Sequence, residues 1–114
     1  MGAASVKSMF SRAALAVALA ASCGVATADD IAQGRAKSRA CAVCHGPLGM
    51  GTAPDAPHLA AQPATYLSQQ LRAFRSGERK HAVMNVIAKP LSDADIEQLS
   101  AWFASLQIEV RPPP

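Results

Sequence analysis

The sequence has few of the residues that build a large core or cross-link a small one. Only 4% of its 114 residues are aromatic, and it contains three cysteines. It has no apolar run approaching the roughly 20 residues that a membrane-spanning helix needs. Residues 29–114 contain no internal repeat and no strand-like alternation of useful length. These absences argue against a membrane-spanning protein, a disulfide-rich scaffold and a sheet protein, and they favour a small helical domain.

The first 28 residues have the pattern of an export signal. Lys7 and Arg12 supply a positive region, and an apolar run extends from Ala13 to Ala21. Ala26-Thr27-Ala28 then matches the small-x-small pattern of a signal peptidase site. We predict cleavage after Ala28, which leaves residues 29–114 as a single domain exported to the periplasm.

Cys23 permits a second interpretation of this segment. Cleavage before Cys23 and acylation of its thiol would make the protein a lipoprotein, peripheral to the membrane, because the preceding residues are apolar and small. Ala20 stands where a branched residue is usual for that signal. We therefore favour cleavage after Ala28.

The charge that remains after this cleavage is nearly balanced, with nine basic residues against eight acidic ones. It gives no case for nucleic-acid binding. A basic surface near the functional site would steer docking to an acidic partner, and a solvated charged face is the alternative. The basic residues concerned are Arg35, Lys37, Arg39, Arg72, Arg75, Arg79 and Lys80, whereas Asp93, Asp95, Glu97 and Glu109 make the C-terminal segment acidic.

Cys41-Ala42-Val43-Cys44-His45 carries the chemistry of the sequence, because C-x-x-C-H is the signature of covalent haem attachment. Each thiol can add to one vinyl group at the haem edge, and His45 then lies under the iron as its proximal ligand. A thioredoxin-like dithiol should open a helix after a buried strand, but the preceding residues are polar and helix-like. A zinc site needs two further ligands, and His58 and His81 form no paired motif. We therefore predict one haem c.

The rest of residues 29–114 predicts an all-α fold of about four short helices wrapped around the haem. The first covers about residues 31–42, capped by Asp29 or Asp30, and Gly34 inside it suggests a close crossing by another element. Residues 46–62 are rich in glycine and proline and predict a loop.

Two longer helices follow that loop. One begins at Pro63 and ends near Gly77, with Leu67, Leu71 and Phe74 on one face and Tyr66 and Gln70 beside them. The last begins at Ser92, where a Ser-x-x-acid pattern resembles a capping box. Residues 81–89 are expected to be an irregular connection. Since few large apolar side chains are available, the haem-free chain is expected to be largely disordered.

A second axial ligand for the iron must come from downstream of His45. Met50 is only five residues away, and His58 lies in the same loop, so both should stay on the proximal side. Met84 lies 39 residues after His45, in the short segment between two helices, and His81 is its rival. Spacing alone leaves the choice between Met84 and His81 open.

Four motifs in this order resemble the class I cytochromes c over nearly all of residues 31–107: C-A-V-C-H-G, P-H-L-A-A-Q, Y-L-S-Q-Q-L-R-A-F-R-S-G and M-N-V-I-A-K-P-L-S-D-A-D-I. The nearest kinds are small bacterial cytochromes c-553 and single halves of related two-haem proteins. The resemblance implies attachment at Cys41 and Cys44, with His45 and Met84 as axial ligands.

The same resemblance implies supporting roles for other residues. The carbonyl of Pro57 should accept the N–H of the proximal histidine, and Tyr66 and Gln70 are expected to contact the haem. Gly34 and Trp102 match a contact between the first and last helices. Ala61 departs from the family, since relatives often have glycine there.

The function implied is that of a non-enzymatic carrier of single electrons between respiratory proteins. Its partners would be an oxidase, a reductase or a dehydrogenase, met by a monomer in transient complexes. Two alternatives are a haem subunit of a dehydrogenase, for example one that oxidises a sulfur compound, and a ligand-binding or peroxidatic haem protein with an open distal position.

Overall fold

The computed structural model describes Met1 and residues 25–114; the charged, apolar and Cys23 features of the export signal lie outside these residues. Five helices follow one another along the chain: α1 (Ala28–Lys37), α2 (Ala42–His45), α3 (Ala64–Ser76), α4 (Met84–Ala88) and α5 (Asp93–Ser105). A 3-10 turn, Ser38–Ala40, joins α1 to α2. None of residues 25–114 forms a strand. The predicted all-α class is therefore confirmed.

Helix α1 begins earlier and ends earlier than the sequence predicted, and its cap is a different residue. Thr27 caps it, because Thr27 Oγ1 accepts the N–H of Asp30 at 3.2 Å while the Asp30 carboxylate accepts the N–H of Thr27 at 3.0 Å. Asp30 is therefore the third helical residue of a capping box. In the uncleaved chain the cap is therefore Thr27, whereas the cap predicted at Asp29 or Asp30 applies to a chain that begins at Asp29.

Helices α3 and α5 agree closely with the prediction. Pro63 is the cap of α3 rather than its first residue, and α3 ends where Gly77 adopts a left-handed conformation with φ 83°. The capping box of α5 is present: Ser92 Oγ accepts the N–H of Asp95 at 3.0 Å, and the Asp95 carboxylate accepts the N–H of Ser92 at 2.9 Å.

Helix α4 corrects the prediction for residues 81–89. Five of these residues form a helix rather than an irregular connection, and Met84 is its first residue. A helix this short carries too little periodic pattern to be recognised from the sequence and depends on tertiary contacts for its stability.

Helices α1 and α5 cross in direct backbone contact. A Cβ atom on Gly34 would overlap the carbonyl oxygen of Gln98 and lie 2.8 Å from the Cβ of Trp102. The close crossing inferred from Gly34, and the expected contact with Trp102, are confirmed. The Arg35 guanidinium lies 5.6 Å from the centre of the Trp102 ring, and Lys37 pairs with Asp95.

The core behind this crossing is small. Leu67 of α3 packs with Leu99 and Phe103 of α5. Partly buried side chains surround this centre, namely Cys41, Leu59, Leu71, Leu91, Trp102 and Leu106. Because Cys41 is among them, the C-x-x-C-H turn packs directly against the core. No helix within residues 25–114 has both the length and the apolar character needed to cross a bilayer.

Candidate haem site

The C-x-x-C-H motif occupies one helical turn. The N–H of His45 donates to the carbonyl of Cys41 at 2.9 Å, which closes α2 around the motif. Cys41 and Cys44, three residues apart, therefore project from the same side of the turn. Both thiols are free, and burial raises the pKa of Cys41. A redox dithiol requires a lowered thiol pKa, so the environment of Cys41 argues against that alternative.

The ring of His45 is buried and held by one hydrogen bond. The residue is 7% exposed, and its Nδ1 lies 2.9 Å from the carbonyl oxygen of Pro57. A carbonyl only accepts, so Nδ1 carries the proton and donates. The lone pair is then on Nε2, the atom that can bind iron. The hydrogen bond to Pro57 that the resemblance implied is present.

The loop of residues 46–62 holds Pro57 in place through backbone hydrogen bonds. The N–H groups of Thr52 and Ala53 donate to the carbonyl of Cys44 at 2.9 and 3.1 Å, which ties the loop to the motif itself. At its other end, the N–H of Ala61 donates to the carbonyl of Phe103 at 2.9 Å. The carbonyl that orients His45 is therefore anchored both to the motif and to α5.

His58 helps to fold this same loop. Its Nδ1 accepts the N–H of Gly51 at 2.8 Å. Met50 is an exposed residue of the loop, next to Gly51. Both residues thus belong to the segment that carries Pro57, and their place on the proximal side of the haem stays a prediction.

Met84 and its rival His81 are in contact with each other. Met84 is half-buried, and its N–H donates to Nδ1 of His81 at 3.2 Å. The other ring nitrogen of His81 lies 3.7 Å from a carboxylate oxygen of Asp55 in the loop. Iron binding through Nδ1 of His81 would therefore cost the hydrogen bond from Met84, and binding through the other ring nitrogen would cost only the longer contact to Asp55.

Tyr66 and Gln70 are both on α3, but their surroundings differ. Tyr66 is 43% exposed. Gln70 accepts a hydrogen bond from the guanidinium of Arg79 at 2.6 Å, and the same guanidinium lies 4.6 Å from the centre of the Phe74 ring. The structure thus joins Gln70 to Arg79, a contact that no sequence pattern indicated.

Asp55 and Asn85 are two further residues near the site that sequence reasoning missed. Asp55 approaches His81 from the loop of residues 46–62. Asn85 follows Met84 directly and bonds to three backbone groups. Adjacency to Met84 was the only signal for Asn85, and Asp55 had none, because the contact to His81 arises only in the folded chain.

The residues present fit a covalently attached porphyrin. Two thiols on one turn stand beside an imidazole whose Nε2 is available, which is the donor set that haem c requires. Within residues 25–114, no group of three or more His, Cys, Asp or Glu side chains is arranged to hold a metal ion. Large apolar side chains exposed near the motif, on α3 and around α4 suit contact with an apolar group; they are Val43, Leu48, Met50, Tyr66, Val83, Val86 and Ile87.

Three of the seven basic residues considered for partner docking are engaged in ion pairs with α5. Arg72 pairs with Glu97 and Arg75 with Asp93, each at 2.6 Å, and Lys37 pairs with Asp95. These pairs neutralise much of the basic surface that the sequence suggested. Of the seven, the basic residues outside these pairs are left as candidates for steering a partner protein, namely Arg35, Arg39, Arg79 and Lys80.

Comparison with known proteins gives one consistent family. The profile of the family described as Cytochrome c matches residues 31–107. Cytochrome c-554(548) of Halomonas halodenitrificans is 43% identical over 81 residues, covering 68% of this chain and 98% of that protein. The thiosulfate dehydrogenase electron acceptor of Thiomonas intermedia is 42% identical over 79 residues, covering 68% of this chain and 36% of that protein.

A solved structure agrees with these sequence matches. Reduced recombinant cytochrome c4 from Pseudomonas stutzeri superposes with a TM-score of 0.67 at 33% identity, covering 74% of this chain and 52% of that chain. The chain therefore spans nearly the whole of one curated relative, about half of the structural neighbour and about a third of the electron acceptor.

Proposed function

Because the chain belongs to the cytochrome c family, and so is an electron-transfer protein with one covalently bound haem c, we propose which residues hold that haem. Cys41 and Cys44 form the two thioether bonds, and His45 and Met84 are the axial ligands. When bound, the haem supplies a one-electron ferric–ferrous couple. The hydrogen bond from His45 Nδ1 to Pro57, 2.9 Å long, carries the assignment because it leaves Nε2 available to the iron.

The thioether of Met84 sets the redox chemistry in this proposal. A soft sulfur ligand favours ferrous iron and raises the reduction potential. With both axial positions filled by protein side chains, the iron has no open site for a substrate, which suits a carrier rather than a peroxidatic protein. The hydrogen bond that Nδ1 of His81 accepts from Met84 occupies one of the two nitrogens of the rival ligand, which supports Met84.

Replacing Met84 tests the distal ligand. Met84→Ala is expected to abolish the weak sulfur-to-iron absorption band of the oxidised protein, and Met84→His is expected to lower the reduction potential, because imidazole favours ferrous iron less than a thioether does. Met50→Ala is the matched control, since Met50 is an exposed methionine in the loop of residues 46–62. A band that survives Met84→Ala, or disappears in Met50→Ala, contradicts the assignment.

The electron donor in our proposal is a dehydrogenase that oxidises a reduced sulfur compound. A relative at 42% identity is named a thiosulfate dehydrogenase electron acceptor, which supports this choice. Stopped-flow reduction of the ferric protein by a thiosulfate-oxidising dehydrogenase tests it, and fast reduction that slows as salt rises is expected for charged partners. No reduction on mixing would leave the protein a carrier for other donors.

We place the protein in the periplasm, with residues 29–114 as the exported domain. The small-x-small pattern of residues 26–28 supports the cleavage site. The mass of the haem-loaded protein recovered from a periplasmic extract distinguishes this from acylation at Cys23, because only cleavage after Ala28 gives an N-terminus at Asp29.

A further inference from the structure

Asn85 makes an unusually complete set of hydrogen bonds for a single side chain beside a proposed ligand. Its Oδ1 accepts the N–H of His81 at 2.8 Å. Its Nδ2 donates to the carbonyls of Phe74 and Arg79 at 2.7 and 2.8 Å. The amide orientation is forced, because the reversed amide would place its oxygen against two carbonyl oxygens.

These bonds join three parts of the chain around Met84. Phe74 lies near the end of α3, Arg79 lies in the segment that follows, and His81 lies just before α4. The backbone N–H of Asn85 adds a bond to the carbonyl of His81 at 3.0 Å. The turn from α3 into α4 is therefore closed by one residue, the immediate neighbour of Met84.

Helix α4 needs such an anchor. It has five residues, and a helix of that length has no stability of its own in water. At its C-terminal end, fully buried Ala88 packs it into the fold. At its N-terminal end, the N–H of Met84 donates to Nδ1 of His81, whose own backbone N–H is held by Asn85. The position of the Met84 backbone thus depends on Asn85 both directly and through His81.

We propose that Asn85 is a positioning residue that keeps the Met84 thioether at the iron. The proposal rests on the assignment of Met84 as axial ligand. In this proposal the Met84 thioether is in equilibrium between a state bound to the iron and a released state. The three side-chain hydrogen bonds of Asn85 shift that equilibrium toward the bound state. Released Met84 leaves the iron open to a small external ligand, and the apparent affinity for that ligand rises in proportion to the open fraction.

Imidazole binding to the haem-loaded ferric protein measures that fraction. Asn85→Ala is expected to tighten imidazole binding by tenfold or more and to weaken the sulfur-to-iron band. Asn85→Asp keeps the size and the acceptor for the N–H of His81 but places an oxygen against the two carbonyls, and it is expected to tighten binding as well. Ser92→Ala is the control, because it removes the cap of α5 and lowers overall stability while leaving imidazole affinity within twofold of wild type.

The outcomes separate this proposal from the assignment of Met84. If Met84→Ala abolishes the band and tightens imidazole binding while both Asn85 variants bind as wild type does, Met84 stands and the role of Asn85 is wrong. If Met84→Ala changes neither property, the ligand assignment fails and the proposal fails with it. If neither Asn85 variant yields haem-loaded protein, or if Ser92→Ala tightens binding equally, Asn85 supports the fold as a whole and the proposal is overturned.

Discussion

Ala61 is the only residue other than glycine with a positive φ among those described, at 61°. The departure from glycine that the sequence showed at this position therefore falls where the backbone favours glycine. A left-handed conformation costs a residue with a side chain roughly 1–2 kcal/mol. Glycine avoids this cost, but its greater conformational freedom in the unfolded chain offsets part of the gain in stability. Ala61 is strained at the point where the loop bonds to Phe103.

Ala61→Gly is expected to raise the free energy of unfolding by up to about 1 kcal/mol, because it relieves this strain. Urea unfolding of the haem-loaded protein measures the change. Ala53→Gly, in the same loop but at negative φ, is the control and should lower stability slightly. A loss of stability in Ala61→Gly would show that the alanine methyl makes packing contacts worth more than the strain.

For single residues, the sequence predicts which side chains attach the haem better than it predicts which side chains hold the haem ligands in place. Cys41, Cys44 and His45 are adjacent in the chain, so a local pattern specifies them, and family resemblance was enough to pair His45 with Pro57. The contacts of His81 with Asp55 and of Asn85 with Phe74 join residues that are distant in sequence. They depend on how α3 turns into α4, which no local pattern specifies.

Among the elements, the crossing of α1 and α5 is the one most tightly constrained by a single residue. Gly34 allows the two backbones to touch. Sequence reasoning could find this contact because a glycine inside a helix is costly and requires a reason. It could not find α4, or the Thr27 cap outside the expected domain, because five residues and a cap at a cleavage site give no periodic signal.

Gly34→Ala is expected to destabilise the protein by about 2–4 kcal/mol, even though alanine is the better helix former. The methyl group would collide with the Gln98 carbonyl, so the helices must separate and loosen the packing of Trp102. Urea unfolding provides the measurement. Gln33→Ala, at an exposed position of the same helix, should leave stability within about 0.5 kcal/mol; a Gly34→Ala variant as stable as this control would refute the close crossing.

The start of α5 carries a pH-dependent contribution to stability. The hydrogen bond from Lys37, together with the cap bonds to Ser92, lowers the pKa of Asp95 from its ordinary value of 3.8 to about 2. A depressed carboxyl pKa stabilises the folded state above the unfolded pKa, and this contribution is lost as pH falls through the folded pKa. The window therefore lies between about pH 4 and pH 2.

Asp95→Asn should accordingly lower the urea midpoint at pH 6, and its difference from wild type should shrink progressively from pH 4 to pH 2. The effect is small because the pair lies at the surface. Lys37→Met removes the largest cause of the shift, so the pH dependence due to Asp95 should diminish in that background. A constant difference across the whole pH range would mean that the substitution disturbs packing rather than removing a charge.

For the molecule as a whole, the small size of the hydrophobic core limits the stability of the haem-free chain. The buried hydrophobic side chains of residues 25–114 are Ala60, Leu67, Phe74, Ala88, Ile96, Leu99, Ala101 and Phe103, three of them alanines. A domain of this length has a marginal core unless a covalent or metal group reinforces it. Composition alone predicts this dependence, because it limits the apolar area that any fold of the chain can bury.

The double variant Cys41→Ala/Cys44→Ala, which cannot form thioethers, is expected to have much reduced helical circular dichroism and no cooperative urea transition. Val110→Ala, at an exposed position outside the helices, should retain haem and fold normally. A cooperative transition in the haem-free double variant would contradict the view that the porphyrin completes the core.

The bond between Ala61 and Phe103 also bears on the order in which the protein matures. The carbonyl that orients His45 belongs to a loop that is bonded at one end to the C-x-x-C-H motif and at the other to Phe103 of α5, which is synthesised well after the motif. Enzymes that form the thioether bonds on an incomplete chain would therefore find both thiols present, but the imidazole of His45 without its full set of orienting contacts. The second anchor of the loop therefore forms only after residue 103 has folded back, and removal of the last turn of α5 is expected to loosen the orientation of His45.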